Sequence, residues 1–416
     1  MSKRRSDRGS LRPAVPLDAS AFRPIGLVRF DLTTNSLDGD VAGIADRRIW
    51  VEATTRGRVV GRVEFDLGAS ALTPDDLESL SSTFTDDGPA LFETVPDEQL
   101  ASASIVVSTI CSEPAMLVRA VRSLLELDYP SFDVVVVDNR RGEINAPLPT
   151  FPDDPRVRVT REPMPGLSAG RNRGIAESTG EIIAFTDDDA SVDPMWLRAI
   201  GARFAADPTI DAIGGLVLPS ELETEPQLWF EEFYGGFSPS FEPSVVSLAT
   251  ADDDALFPYA PRRFGAGCNM AFRRSALEAA GGFDVALGVG TPARGGEDLA
   301  MFIGLVTSGA TVAFEPAALV RHTHRRTERA FLRQVLMYGV GLTAMYTSLI
   351  AHDRRHALAL LRKLPAGVRL LVRPRGERSV SAAPSYPRRA LLYQVVGMAL
   401  GPIAYARSRR WARRAA

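Results

Sequence analysis

The rhythm of apolar and polar positions changes three times along the chain. Between residues 22 and 69, runs such as IGLVRFDLTT and RRIWVEATTRGRVVGRVEFDL are rich in Val, Thr, Ile and Phe, partly alternating and broken by Arg-Gly turns. That period of two predicts a small antiparallel β unit. LTPDDLESLSSTF reads as a capped helix, with Thr73 before Pro74 and acidic residues in the first turn. From Ala103 the order becomes strand, loop, helix. SIVVSTI and FDVVVVDN are buried strands around PAMLVRAVRSLLEL, which has helical spacing at Leu117, Val121, Leu124 and Leu125; RVRVTRE, GLSAGRNRGIAEST and EIIAFTDDD continue the series. Such alternation predicts a mainly parallel, right-handedly wound α/β sheet of Rossmann-like type, with ligands beyond the carboxyl ends of its strands. Thr109, Asp138 and the run Asp187, Asp188, Asp189 fall at such ends.

The chain therefore divides into a disordered lead-in (1–20), a β-rich accessory domain (21–100), an α/β domain (101–330) and a helical, basic C-terminal segment (331–416). Composition adds two points. The two cysteines, Cys111 and Cys268, lie far apart with no CxxC pair, so neither a disulfide framework nor a cysteine zinc site is supported, which fits a reducing cytosol. The basic N-terminus has no apolar stretch of the kind a signal peptide requires. The net charge of −3 is uneven: residues 353–416 carry 15 Lys and Arg against 2 Asp and Glu, leaving −16 for the remainder. An acidic body without a binding motif argues against nucleic acid. The last apolar run has 17 residues between Arg389 and Arg407, short of the ~20 that span a bilayer. It is read as a helix that packs on the core or lies on an anionic membrane surface.

Three adjacent carboxylates at a strand end repel one another unless water or a counter-charge intervenes. Asp187-x-Asp189 offers hard oxygen ligands suited to Mg²⁺ or Mn²⁺, although an acidic run can also be a solvated turn. Asp138 either starts a turn or accepts hydrogen bonds from a base or ribose. Arg171 and Arg173, at a glycine-broken helix start, suit phosphate oxygens. Glu297 and Asp298, after Gly295-Gly296, either cap a helix or supply a general base, and the helix N-terminus should lower that base's pKa. His322 and His324 alternate on a strand-like segment, so they should share a face and could complete a metal shell.

The ordered set SIVVSTICSEP, VVVVDN, GLSAGRNRGI, FTDDDA, GAGCNMAFRR, GGFD, GGED and RHTH resembles the pattern of a family 2 glycosyltransferase of the A-type fold over about residues 103–330. The resemblance implies inverting transfer of a sugar from a nucleotide-diphosphate donor to a hydroxyl acceptor, assisted by a divalent metal (Mn²⁺ or Mg²⁺). It implies Thr109, Glu113 and Asp138 at the nucleoside, with Arg171 near base or diphosphate. Asp187 and Asp189 match the Asp-x-Asp motif, Asp189 for direct metal contact and Asp187 for ribose or metal, with Asp188 between them on the nucleotide-sugar side. Asp298 matches the base and Glu297 positions the acceptor. A histidine completes the metal shell, His322 by spacing, with His324 the alternative. The acceptor would be a glycan, lipid-linked or cell-envelope molecule. The location would be cytoplasmic, or peripheral on the inner face of the plasma membrane. After Glu-Asp the chain departs from the pattern, reading LAMFIGL where another acidic residue and an arginine are frequent. Two alternatives stand beside this reading: an inert nucleotide-sugar-binding scaffold, and a nucleotidyltransferase, for which no glycine-rich, lysine-bearing loop follows the first strand.

Overall fold

The structure is a computed structural model that describes residues 22–38, 48–66, 74–84, 90–142, 147–238, 240–250, 254–260, 263–372 and 386–415. The lead-in at 1–20 and the cap at Thr73 lie outside the described residues. Strands β1 (Ile25–Asp31), β2 (Ser36–Asp38), β3 (Arg48–Thr55) and β4 (Arg58–Asp66) form a sheet in the order β2-β1-β3-β4. The β1–β3 pair is parallel, so the unit is mixed and not antiparallel as the alternation suggested. A period of two fixes which face each side chain takes, but not the direction of the neighbouring strand. Helix α1 (Pro74–Thr83) covers one face, Leu80 joining Val28, Phe30, Val51 and Phe65.

After α2 (Leu91–Thr94) the large unit runs β5 (Ala103–Thr109), α3 (Pro114–Leu125), β6 (Phe132–Asp138), β7 (Val157–Arg161), α4 (Leu167–Glu177), β8 (Ile182–Asp187), β9 (Ala190–Val192), α5 (Trp196–Ala206) and β10 (Ile210–Pro219). It continues through α6 (Glu225–Trp229), β11 (Ser244–Val246), β12 (Asn269–Arg273), α7 (Arg274–Ala280), α8 (Glu297–Thr307) and β13 (Thr311–His322). Three helices close the chain: α9 (Glu328–His352), α10 (Arg355–Val372) and α11 (Arg389–Ala415). The sheet order is β11-β13-β10-β12-β8-β5-β6-β7, with β9 beside β13. β7, β6, β5 and β8 are parallel, and β12 is the antiparallel strand between β8 and β10. The mixed α/β, mainly parallel architecture expected from the alternation is present.

The valine run of β6 explains itself by burial on both faces. Val134 and Val136 pack with Leu117, Val121 and Trp196 on one side, while Val135 and Val137 pack with Phe272, Phe283 and Phe302 on the other. Helix α4 lies unusually close to β5. A Cβ at Gly170 would stand 2.1 Å from Ser108 Oγ, and one at Gly174 would stand 2.2 Å from Val106 Cγ1. That approach carries Arg171 into the interior.

The β unit is fastened to the strands that end at the rim. Ile25 and Trp50 pack on Leu222 and Leu228, and Val59 packs on Leu216, Phe314 and Leu319. Glu52, only 2% exposed, accepts hydrogen bonds from Arg321 at 3.0 and 2.5 Å, one residue before His322. Removing one partner of a buried pair leaves the other charge uncompensated. Glu52→Ala is expected to cost about 3 kcal/mol of folding stability, with Glu52→Gln milder, by urea unfolding.

Glu232 gives a second stability prediction. Burial, helped by Glu64 and opposed by Arg48, raises its carboxyl from 4.5 to about 7. A folded-state value above the unfolded one means that folding takes up a proton, so this stability is full below about pH 4.5 and is lost as pH rises toward 7. Glu232→Gln should flatten that slope and raise the melting temperature at about pH 8 more than at about pH 5.

Candidate active site

β5, β6 and β8 end together because they are parallel and in register: Thr109 stands opposite Asp138, and Ser108 opposite Asp187. At this rim the three aspartates diverge. Asp187 faces the Arg171 guanidinium at 3.5 Å, Asp188 accepts a hydrogen bond from the Thr109 hydroxyl, and Asp189 Oδ1 lies 3.2 Å from His322 Nε2. Their acidities separate accordingly. Loss of water raises Asp187 against the pull of Arg171, and the same effect with its acidic neighbours lifts Asp188 to about 6. Burial also pushes Asp189 upward, but the charge and hydrogen bond of His322 outweigh it and hold Asp189 at about 2. In return, Asp189 raises His322 despite burial.

The two histidines share a face as their alternation predicts, with ring centroids 5.7 Å apart, yet they meet different partners. His324 Nε2 pairs with Glu231 Oε1 at 2.8 Å, and Arg62 of the β unit reaches Glu231 Oε2 at 3.3 Å. Burial lowers His324. The structure thus brings His322, and not His324, to the aspartate cluster.

Across the rim, α8 begins at Gly296, whose φ of 86° is left-handed. A Cβ there would stand 2.6 Å from the Gly341 carbonyl of α9, so glycine lets the helix start directly against α9. Glu297 points inward, 5% exposed, and its carboxylate accepts from Arg171 Nη1 at 2.8 Å. Arg171 also donates to the Gly267 carbonyl at 3.0 Å, while the Gly267 N–H donates to Asp298 Oδ2 at 2.9 Å. Asp187, Arg171, Glu297, Gly267 and Asp298 form one connected network. At Glu297, burial and neighbouring Asp298 outweigh Arg171 and lift the carboxyl to about 7. Arg171 is a buried counter-ion for two carboxylates, and Arg173 faces outward, paired with Glu177 at 2.6 Å.

On the other side, Asp138 is gripped by Arg140 through Nε at 2.9 Å and Nη2 at 2.7 Å, which overcomes burial and lowers its pKa. Glu113 is exposed just before α3. Trp229 and Phe230 are core, packed with Phe331 and Leu332. Sequence reasoning did not single out Gly267, Asn269 or Glu231, and weighed Cys268 only as a disulfide or zinc-site cysteine. Gly267, Cys268 and Asn269 were present in the quoted GAGCN stretch. Buried Asn269 accepts from Trp196 Nε1 and donates to the carbonyls of Leu216 and Ala318, which fixes the loop beside Cys268.

A divalent cation fits these donors. Ligand atoms of Asp187, Cys268 and His322 lie within 4.8 Å of one another, with Asp189 beside His322. His322 Nδ1 is buried without a hydrogen-bond partner among the described residues. Burial raises the Cys268 thiol well above its ordinary value, so it stays protonated and the carboxylates are the charged donors. Hard oxygen ligands with one imidazole suit Mn²⁺ or Mg²⁺.

Residues 104–281, from β5 through the end of the GAGCN strand and helix, match the model of glycosyl transferase family 2. This segment is similar to a family 2 glycosyltransferase domain. A glucosyl-dolichyl phosphate glucuronosyltransferase of Haloferax volcanii is 28% identical over 44% of the chain and 56% of its own length. A pre-mycofactocin glycosyltransferase of Mycobacterium tuberculosis is 27% identical over 42% of the chain and 33% of its own length. The alignments thus span about half or less of these relatives. A mannosyltransferase from Pyrobaculum calidifontis, solved with GDP-Man and Mn²⁺, superposes with a TM-score of 0.42 at 18% identity, covering 79% of this chain and 92% of that one. The glycosyltransferase domain match ends before Glu297, Asp298 and His322, which the fold supplies from α8 and β13.

Proposed function

We propose that the protein is an inverting, metal-dependent glycosyltransferase. It moves a sugar from a nucleotide-diphosphate donor to a hydroxyl of a glycan or lipid-linked, cell-envelope acceptor, in the cytoplasm and peripherally at the inner face of the plasma membrane. The observation that carries this reading is the rim itself. Asp189 with His322, and Asp187 with Arg171, face Asp298 across the Gly267 loop. The dolichyl phosphate in the name of the H. volcanii relative supports a lipid-phosphate-linked acceptor.

Asp187, Asp189 and His322 would hold the cation, which when bound offsets charge on the departing diphosphate. Thr109, Glu113, Asp138 and Asp188 border the nucleotide side. Asp298 accepts from the Gly267 N–H at Oδ2 and the Leu299 N–H at Oδ1 yet is half-exposed, so a remaining carboxylate lone pair would take the acceptor hydroxyl proton. The acceptor oxygen then bonds to the anomeric carbon. The bond from that carbon to the diphosphate oxygen breaks, and the electron pair leaves with the nucleoside diphosphate. A single displacement of this kind inverts the anomeric centre. Buried Glu297 orients Arg171, and Arg171 keeps Asp187 and the Gly267 loop in register.

The test is a thermal-shift and calorimetry panel of UDP-, GDP- and dTDP-sugars, each with and without Mn²⁺. Stabilisation by one donor only with metal is expected. Equal stabilisation without metal would overturn the metal-dependent part, and no donor binding by folded protein would sink the reading.

A further inference from the structure

The C-terminal helices carry an apolar surface that nothing among the described residues covers. Helix α11 packs on α9 at Ala390, Gly397 and Gly401 and farther along buries Tyr405, Ser408 and Ala412, the Tyr405 hydroxyl donating to Asp284 Oδ2 at 2.9 Å. Contact is close: a Cβ at Gly397 would stand 2.3 Å from the Leu336 carbonyl, and one at Gly339 2.3 Å from the Gln394 carbonyl. The rest of its circumference looks outward, and between Arg389 and Arg407 it has no charged residue. Leu392 is 62% and Ile403 61% exposed, with Leu391, Val395, Val396 and Leu400 beside them. An apolar face of this extent on a water-soluble surface calls for a partner.

Helix α10 repeats the arrangement. Its inner side holds His356, Ala359 and Leu360, while Leu358, Leu361, Leu364 and Val368 form an exposed stripe. Arg355, Arg362 and Arg369 recur at seven-residue intervals and line one edge of that stripe. This is the pattern of a helix lying in a lipid interface, apolar side chains down and arginines at headgroup level. On α11, Arg388 and Arg389 stand at one end of the apolar stretch and Arg407, Arg409, Arg410, Arg413 and Arg414 at the other.

We propose that the outward faces of α10 and α11 form an in-plane docking surface for an anionic bilayer. Charge selects this occupant. The surface belongs to the segment of net +13 attached to a body of −16, so it attracts anionic headgroups and repels the same face of a second copy. Spanning is ruled out by packing. α11 is packed on α9 at Ala390, Gly397 and Gly401 and tied to Asp284 by Tyr405, and α9 buries Ala344, Met345 and Leu349 in the domain core. Among the described residues α9 alone is long and apolar enough to cross a membrane, and its contacts hold it inside the protein.

The docking surface is one helix away from the reaction rim. α9 meets Gly295 and Gly296 through Gly341, and α11 through Gly339. At the usual 8–10 Å between packed helices, docking sets Asp298 roughly 20 Å from the apolar surface. That distance suits an acceptor whose reactive sugar hangs from a membrane lipid. This last point rests on the proposed transferase function; the docking itself does not.

The test is flotation of the full chain with phosphatidylcholine vesicles and with phosphatidylcholine–phosphatidylglycerol vesicles, without donor or acceptor. Binding to the anionic vesicles is expected, falling with salt, and Leu361→Glu/Leu392→Glu/Ile403→Glu should weaken it by roughly tenfold or more. These side chains are exposed, and unchanged circular dichroism and donor binding would show that the variant folds. Arg355→Gln/Arg362→Gln/Arg369→Gln should reduce the preference for anionic lipid. Three results would overturn the proposal: no flotation with either vesicle, flotation unaffected by the glutamates, or a concentration-dependent dimer that the glutamates dissociate. A chain that floats yet binds no nucleotide sugar would leave the docking surface standing and remove the transferase reading.

Discussion

Asp298→Asn is expected to lower kcat by roughly 10²- to 10⁴-fold while donor affinity stays within about twofold of wild type. Asparagine keeps the shape and one oxygen that can accept the Gly267 N–H, now 2.9 Å from Oδ2, at the expense of the Leu299 N–H now 2.8 Å from Oδ1, so the loop that also holds Arg171 keeps its anchor. What it lacks is the capacity to take a proton at the operating pH. Donor binding measured by calorimetry and turnover measured by nucleoside diphosphate release separate the two effects. Loss of donor affinity comparable to the loss of kcat would assign Asp298 to donor binding or to structure.

Asp189→Ala should produce the opposite split. It removes the carboxylate that faces His322 at 3.2 Å and the acid held lowest at this rim, at about 2. Metal-dependent donor affinity should fall by roughly 100-fold or more, the scale on which losing a ligand or its support weakens a metal site. A fall in apparent Mn²⁺ affinity by the same factor, with circular dichroism unchanged, would tie the loss to the cation. Unaltered Mn²⁺ dependence would remove Asp189 from the metal shell.

Much of this rim is legible in the sequence because the strands are buried on both faces. Val134 to Val137 and Ile182 to Phe185 can sit only inside a covered sheet, and a parallel sheet then gathers the polar residues that follow at one edge. Direction within the small β unit is not legible. The alternation in β1 and β3 is equally compatible with either pairing, and the observed pair is parallel. The histidines show a second limit. Spacing puts them on one face, but Glu231, 93 residues away, decides that His324 is engaged elsewhere. Glu297 shows a third, since a helix N-terminus and a buried site pull its pKa in opposite directions and only packing shows that burial prevails. The apolar runs of the C-terminus were readable as helices. That one face of α11 seals onto α9 while the other stays outside follows from its glycines, whose role appears only once the two helices meet.

The most direct measurement is sugar transfer itself. Labelled UDP-, GDP- and dTDP-sugars are incubated with the protein, Mn²⁺ and an extract of membrane lipids and glycans, beside Asp298→Asn. Label is expected to appear in the lipid or glycan fraction from one donor, in wild type and not in the variant, with the anomeric configuration inverted when the product is examined by NMR. Absence of transfer from every donor by folded protein that binds its donor and Mn²⁺, or equal transfer by Asp298→Asn, would contradict the assignment of this rim as a glycosyltransfer site.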